Sequence, residues 1–487
     1  MSLKRYTAYK DTTITNAFDF TLTNRGTGSN MGLADSLEVF SIYGQASSSS
    51  LEASRVLVQF PVSSSDTGTT ILADRTAGTI PASGSVNFYL RVFNVAHGQT
   101  LPRDFTLVVA PVSQSWEEGY GLDMDEYKDK TYDGTGSNWI NARANTAWTN
   151  QGGDYLTASA YSEFNYTQTF DKGTEDLEID VTGLVEQWIK GAAGGGYENY
   201  GFGIFLTGSQ ESGNRSYYTK KFSARGSEYF FSRPIIEARW DSTKKDQRGS
   251  FYASSSVASA ADNLNTIYLY NYVRGQLKDL PGAGTGNIYV EVYDQSSAGT
   301  QLTTTPEQPV TGGWVETGVY SASFALDPGT NEVVYDRWFS GSIVYHTGSI
   351  TPKTFTANNA VLSTEYCTTI TNLKPEYYKN EVSTLRLFTR PKKWNPTIYT
   401  VATTAIENTV IDDIYYRVFR NVDEREVISY GTGSLNHTRL SYDVSGSYFD
   451  LDFSMFEPNY EYAIKFLFYI DGSYRECDEV FQFKVVE

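Results

Sequence analysis

Apolar and polar residues alternate with a period of two along most of this chain, which is the pattern of β-strands that bury one face. Residues 177–181 show it clearly, with an apolar side chain at every second position. Tyrosine (37 residues) and phenylalanine (27 residues) favour strands, while 41 glycines and 14 prolines supply turns between them. The pattern and the length together predict an all-β protein of several domains.

One short helix interrupts the strands where the apolar spacing changes from two residues to four. Leu184 and Trp188 fall on one helical face, so the sequence predicts a helix over residues 183–189. Thr182 is the candidate N-cap, and Gly191 is the candidate left-handed exit. Because a helix of about two turns is not stable alone, we expect Trp188 to anchor it in a core.

The segments on either side of this helix follow a characteristic order. An arginine-led strand at 54–62, a strand at 90–95 and a SWEEG segment at 115–119 precede it, and strands at 200–208 and 223–240 follow it. This order resembles that of DNRLRE-type domains, which are β-sandwiches found in large surface proteins and in proteins that bind polysaccharide. The resemblance implies a jelly-roll sandwich over residues 1–243, from which an acidic insert at 117–138 departs.

The C-terminal half contains an internal repeat. Similar alternating strands begin at Thr266 and Thr384, which are 118 residues apart, and similar turns contain Pro328 and Pro458, which are 130 residues apart. An offset that grows slowly indicates loop insertions between two related domains. Short strands with no helical segment between them predict two related immunoglobulin-like β-sandwiches, at 250–355 and 360–487.

A polar segment and the number of cysteines give further information about the domains. The charged segment 241–250 lacks large apolar residues and predicts a linker before the two immunoglobulin-like domains. Neither domain has the Cys…Trp…Cys spacing of a true immunoglobulin domain. Two cysteines in 487 residues argue against a disulfide framework, so Cys367 and Cys477 are expected to be unpaired core residues, and a bridge between them is the alternative.

Charge and hydropathy argue against two classes of partner. The net charge is −18 and the basic residues are dispersed, so nucleic-acid binding is not expected. No apolar core follows the basic residues near the N-terminus, so we expect no secretory signal. The most apolar run, residues 462–470, is too short to span a bilayer, and we expect no membrane contact.

No catalytic constellation is evident, so we expect a protein that is not an enzyme. The histidines His97, His346 and His437 fall one to each predicted domain, without ligand-spaced partners. Glu117 and Glu118 follow a tryptophan at a strand end, where the carboxylate pair of a glycosidase could be placed. A solvated turn beside a core tryptophan is the favoured alternative.

One acidic loop is a candidate cation site, because carboxylates supply the oxygen ligands that Ca²⁺ prefers. The five carboxylates that crowd this loop are Asp123, Asp125, Glu126, Asp129 and Asp133. Their spacing does not fit an EF-hand, and an exposed loop that contributes negative charge is the alternative. No other cofactor is expected.

The C-terminal half carries the second resemblance. Segments at 395–402, 430–452 and 457–466 resemble a family of structural proteins of tailed, notably marine, bacteriophages. The resemblance implies a virion protein, made and assembled in the host cytoplasm, at the neck or collar, tail, baseplate or capsid surface. Aromatic residues make up 15% of the chain and suit permanent interfaces, so the expected partners are other virion proteins and further copies of this chain.

A polysaccharide-binding adhesin module of a surface or secreted protein is the alternative function, implied by the resemblance of the first domain. In a virion, we expect the first domain, with its loops at 117–138 and 191–200, to face outward toward a host surface polysaccharide. The C-terminal pair of domains would then dock to the particle.

Overall fold

The computed structural model describes residues 2–122, 136–296, 299–327, 329, 331–355, 365–393 and 408–487. The chain divides into two compact units, residues 2–241 and residues 242–487. Strands dominate both units, which confirms the predicted all-β class. Within the described ranges, no helix has the length and apolarity needed to cross a bilayer.

The described residues of the N-terminal unit form antiparallel strands and three short α-helices. The strands are β1 (Leu3–Thr7), β2 (Lys10–Thr15), β3 (Ser36–Tyr43), β4 (Leu51–Gln59), β5 (Asn87–Val92), β6 (Phe105–Pro111), β7 (Asn141–Arg143), β8 (Thr146–Ala147), β9 (Tyr166–Phe170), β10 (Leu177–Asp180), β11 (Phe202–Leu206), β12 (Tyr217–Ser223) and β13 (Ile235–Arg239). The helices are α1 (Ile71–Thr76), α2 (Thr182–Lys190) and α3 (Gly208–Glu211).

Two sheets of this unit face each other as a β-sandwich. One has the order β1-β13-β5-β10, and the other has the order β12-β3-β4-β11-β6-β9 with β2 also paired to β4. Because side chains alternate along each strand, every second residue enters the core between the sheets. Leu90 of β5, Val56 of β4 and Phe202 of β11 are fully buried there.

Helix α2 follows β10 directly and packs onto this core, as the sequence predicts. Leu184, Val185 and Trp188 are buried among the core residues. The Trp188 ring meets the Phe202 ring edge to face, with 4.8 Å between centroids. Trp188 is therefore the structural anchor of the helix.

The predicted N-cap is wrong, and Gly191 ends the helix with a positive φ but not in the left-handed helical conformation that the sequence predicts. The N-cap position is Val181, and no side chain caps the helix. The Thr182 hydroxyl instead accepts the Phe88 N–H of β5 at 2.8 Å, because that strand's backbone runs beside the start of the helix. At the other end, Gly191 has a φ of 64°, which glycine adopts without a steric penalty.

The C-terminal unit contains two β-sandwiches. The strands of the first are β14 (Asn265–Tyr270), β15 (Tyr272–Val273), β16 (Gln276–Leu277), β17 (Ile288–Tyr293), β18 (Thr304–Thr305), β19 (Val310–Glu316), β20 (Val319–Leu326), β21 (Val334–Ser340) and β22 (Ile343–Ile350). The strands of the second are β23 (Tyr366–Ile370), β24 (Glu376–Tyr378), β25 (Val382–Pro391), β26 (Ile414–Arg420), β27 (Glu426–Ile428), β28 (Ser441–Asp443), β29 (Gly446–Asp452), β30 (Glu461–Ile470), β31 (Ser473–Glu476) and β32 (Phe481–Val486).

The two sandwiches share an immunoglobulin-like pairing order. Strands β14 and β20 pair in the first, as β25 and β29 do in the second, and β17–β21 corresponds to β26–β30. In the first sandwich, β19 pairs with both β17 and β20. In the second sandwich two strands take these positions, since β27 pairs with β26 and β28 pairs with β29. In the first sandwich, Tyr252 forms a parallel bridge with Lys353, in the segment that follows β22. In the second sandwich, β24 pairs in parallel with the last strand, β32. This common order is what the predicted duplication requires.

The segment that the sequence predicts as a linker is bonded to both sandwiches of the C-terminal unit. The N–H of Asp246 donates to the Tyr442 carbonyl at 3.0 Å, and the N–H of Tyr442 donates to the Lys244 carbonyl at 2.9 Å. Arg248 donates two hydrogen bonds to the buried Asp336 carboxylate, at 2.6 and 2.7 Å. The charged composition of residues 241–250 fits a solvated linker and a bonded segment equally well. The sequence therefore does not indicate that Arg248 pairs with Asp336.

Candidate interaction surfaces and polar sites

The predicted cation site lies outside the described residues. It comprises Asp123, Asp125, Glu126, Asp129 and Asp133. In the part of the chain that the structure describes, no group of three or more histidine, cysteine, aspartate or glutamate side chains is arranged to hold a metal ion.

The carboxylates considered for glycoside hydrolysis are tied into the fold. Glu118 accepts two hydrogen bonds from the Arg225 guanidinium, at 2.5 and 2.6 Å, and a third from the Asp11 N–H at 2.9 Å. Glu117 accepts a longer bond from the Ala144 N–H at 3.3 Å. A carboxylate whose oxygens are engaged in this way by a guanidinium and a backbone N–H serves the fold, which favours the structural interpretation.

Asp11 is a buried carboxyl group that sequence reasoning missed. Its side chain is 1% exposed and accepts the Arg225 N–H at 2.6 Å. Burial, with the Glu118 charge nearby, raises the pKa of Asp11 to about 7. An aspartate within a run of strand residues belongs to no motif, so nothing in the sequence distinguishes it.

The histidines and cysteines occupy separate structural positions. His97 follows β5, and burial lowers its pKa. His346 lies on β22 opposite Trp338, and His437 is buried before β28. Cys367 and Cys477 are both free thiols, as expected, although only Cys477 is fully buried.

A group of apolar side chains is exposed at one end of the first C-terminal sandwich. Strands β14, β19 and β21 end there, while β17, β20 and β22 begin there, because neighbouring strands are antiparallel. We call this surface the apolar end, and it consists of Tyr272, Val273, Trp314, Val315, Ile343 and Val344. The exposed fractions of these residues range from 39% to 63%.

Hydrogen bonds fix the aromatic part of the apolar end. The Trp314 indole N–H donates to the Asp279 carboxylate at 3.0 Å, and the same oxygen accepts the Gly318 N–H at 2.8 Å. Next to Ile343, the Tyr345 hydroxyl donates to the Pro281 carbonyl at 2.7 Å. A ring whose polar atom is already bonded can be covered by a partner without losing a hydrogen bond, and it loses little conformational freedom.

The second C-terminal sandwich also exposes aromatic residues. Tyr469 and Tyr474 pair across β30 and β31 with ring centroids 4.9 Å apart, and they are 41% and 51% exposed. Tyr378 on β24 is 65% exposed. Tyrosine supplies a large, rigid contact area with a polar tip, so these side chains suit protein contact as well.

The tryptophans of the N-terminal unit are placed differently. Trp116, Trp139 and Trp148 form a second core on the outer face of the larger sheet, against Leu57 and neighbouring residues. The indole N–H of Trp116 donates to the Tyr200 carbonyl at 2.8 Å. These rings are buried, as is Trp188, so none of them forms an exposed sugar-binding platform.

Arg55, in the middle of strand β4, holds this second core in place. Its guanidinium donates two hydrogen bonds to Glu211 of α3, at 2.6 and 2.8 Å, and one to the Gly152 carbonyl at 3.0 Å. It lies 5.3 Å from the centre of the Trp139 ring and 5.6 Å from that of Tyr155. The conspicuous arginine of the sequence is therefore a structural residue.

Comparisons with known proteins give remote likenesses among solved structures. No protein-family model matches the chain, and no curated protein matches it. Among solved structures, the N-terminal Ig1-2 module of the Drosophila receptor protein tyrosine phosphatase DLAR is 7% identical, with a TM-score of 0.15, over 46% of this chain and 90% of that one. Tandem Ig repeats of Dlar are 8% identical, with a TM-score of 0.13, over 46% and 89%. A DUF4785 family protein of Legionella pneumophila is 8% identical, with a TM-score of 0.13, over 100% and 90%. At these TM-scores the likenesses carry no argument about function.

Proposed function

We propose that this chain is a non-enzymatic structural protein of a tailed-bacteriophage virion that acts through permanent protein–protein contacts. The apolar end of the C-terminal unit is the observation that favours an assembly role. Exposed apolar side chains that gather at one end of a sandwich commonly mark an interaction site. The resemblance of residues 395–402, 430–452 and 457–466 to phage structural proteins supplies the virion context.

The strand order of the N-terminal unit supports a DNRLRE-type jelly roll as its finer fold. Strands β1, β5, β10 and β13 form one sheet, while β4, β6, β9 and β11 lie together in the other. Chain segments therefore cross repeatedly between the sheets, as the paired Greek keys of a jelly roll require. Strands β3 and β12 extend the second sheet beyond this eight-stranded plan.

The proposed role divides between the two units. The C-terminal unit carries both the apolar end and the phage resemblance, so it binds neighbouring virion proteins and further copies of this chain. A permanent interface of this kind buries about 2,000 Å² or more. The N-terminal sandwich then faces outward, toward the host surface.

Peptide mass spectrometry of purified particles tests the virion role. Particles of the phage that encodes this chain should contain it at a level comparable with that of other structural proteins. Absence from the particles, together with polysaccharide binding by the purified protein, would overturn the virion role in favour of the adhesin alternative.

A variant pair tests the contact surface separately. We expect Trp314→Ser combined with Ile343→Ser to reduce the copy number per particle, because both side chains lie in the apolar end. The matched control is Tyr218→Ser, an aromatic side chain of the N-terminal unit that is 47% exposed. Equal copy numbers for the two variants would show that the apolar end is not the contact surface.

A further inference from the structure

Lys220 is a fully buried lysine whose hydrogen-bond partners are all carbonyl oxygens. It lies on β12, and its side chain is inaccessible to solvent. The Nζ atom donates to the Asn94 side-chain carbonyl at 2.6 Å and to the backbone carbonyls of Gly173 and Glu175 at 2.8 Å each. Buried lysines are normally paired with a carboxylate, so this arrangement is unusual.

Burial makes the Lys220 ammonium easier to deprotonate than that of an exposed lysine. The rings of Phe170 and Phe222 lie 5.1 and 4.9 Å from Nζ. Burial lowers the pKa of Lys220 to about 8. The amine therefore loses its proton at a lower pH than an exposed lysine does, and the geometry holds it against the Asn94 carboxamide.

Asn94 is held in place by its own backbone. It lies two residues beyond β5 and forms an antiparallel bridge with Phe222 of β12. Its N–H donates to the Asp176 carboxylate at 2.7 Å. Asn94 is itself only half-buried, so a small leaving group can reach solvent.

A carboxyl group is also available for proton transfer. Glu175 lies in the loop whose backbone holds Lys220, and its Oε2 atom is buried without a hydrogen-bond partner among the described residues. Glu175 and Lys220 are close enough for each charge to shift the pKa of the other. A carboxylate close to the reacting amine can take up a proton from it and return the proton to the leaving nitrogen.

We propose that Lys220 and Asn94 join through an intramolecular isopeptide bond. The neutral Nζ attacks Cγ of Asn94, an Nζ–Cγ bond forms and the Cγ–Nδ2 bond breaks. Nζ gives up one proton, which Glu175 passes to Nδ2, and Nδ2 leaves as ammonia. One amide replaces another, so the step needs no oxidant, reductant or other co-reactant.

The bond would connect the two sheets of the N-terminal sandwich. Lys220 belongs to the edge strand β12 of one sheet, while Asn94 continues from β5 in the other. Without the bond, non-covalent contacts hold this edge of the sandwich, among them the backbone bridge at Phe222 and the hydrogen bonds of Lys220. The inference concerns the N-terminal sandwich alone and does not depend on the virion role.

The intact mass of the purified full-length protein tests this bond. We expect a mass below that of the sequence by one ammonia, and a branched peptide that joins the Lys220 and Asn94 segments after proteolysis. Lys220→Met should restore the sequence mass. Lys221→Met, which removes the neighbouring lysine paired with Glu38, should leave the loss of ammonia intact. Glu175→Gln should slow the reaction, so that freshly purified protein contains both masses.

Two outcomes would overturn the bond. The first is a wild-type protein that keeps its sequence mass after long incubation above the pKa of Lys220 and yields no branched peptide. The second is a loss of ammonia that persists in folded Lys220→Met, since a succinimide at an asparagine would explain it. If Lys220→Met fails to fold, the presence or absence of the branched peptide in the wild-type protein decides alone.

Discussion

Asp336 is a buried carboxylate of the C-terminal unit that pairs with Arg248. Its carboxylate is inaccessible to solvent, accepts both hydrogen bonds from Arg248 and accepts a third from the Trp338 indole at 2.6 Å. The Arg248 guanidinium keeps the pKa of Asp336 below its usual value despite burial. The residue that satisfies this charge thus comes from the segment that the sequence predicts as a linker.

Replacing Arg248 should destabilise the C-terminal unit. We expect Arg248→Met to lower the free energy of unfolding by about 3–5 kcal/mol, because it leaves an unpaired buried carboxylate. Arg337→Met, which breaks a more exposed pair with Glu291, should cost less than about 1 kcal/mol. Urea unfolding measures both values, and the double variant Arg248→Met/Asp336→Asn should recover part of the loss. Equal losses for the two arginine variants would contradict this assignment.

Asp11 should give the N-terminal unit an unusual pH dependence. Its pKa is raised from 3.8 to about 7, so between these values the folded state binds more protons than the unfolded state. Stability attributable to Asp11 therefore falls as pH rises through this window, by about 2–4 kcal/mol in total.

Asp11→Asn tests this dependence. The variant should remove the slope, so unfolding of the wild type and the variant is compared at about pH 5 and about pH 8. A wild-type slope that survives in Asp11→Asn would assign the effect to another group.

At the scale of elements, helix α2 depends on a single anchor. Trp188→Ala should lower the free energy of unfolding by about 3–5 kcal/mol, because it opens a cavity beside Phe202. Lys190→Ala, at the exposed end of the same helix, should have little effect. Denaturant unfolding of the two full-length variants gives the comparison, and a small loss for Trp188→Ala would mean that the helix is held elsewhere.

Local periodicity predicts the elements but not the bonds between distant ones. The alternation at Leu177 and Ile179 indicates which face of β10 is buried, because that information repeats every two residues. The pairs Arg55–Glu211 and Lys220–Asn94 join residues 156 and 126 positions apart, and neither has a local signal. The predicted N-cap role of Thr182 is wrong for the same reason, because the Thr182 hydroxyl bonds to Phe88, which lies on a strand remote in the sequence.

At the scale of the whole molecule, the two compact units should unfold as separate cooperative blocks. Trp188→Ala should then shift only the transition of the N-terminal unit, and Arg248→Met only that of the C-terminal unit. Differential scanning calorimetry of the full-length variants measures this. A single transition that both substitutions move together would show that the units fold as one.

The distribution of tryptophans gives the protein its own fluorescent reporter. The tryptophans of the N-terminal unit are buried, as is Trp338, whereas Trp314 in the apolar end is 39% exposed. In a variant with Trp394 replaced by phenylalanine, acrylamide should therefore quench chiefly the emission of Trp314. Attachment of a neighbouring subunit to the apolar end would shield that ring, so protection from quenching would report assembly without any added label.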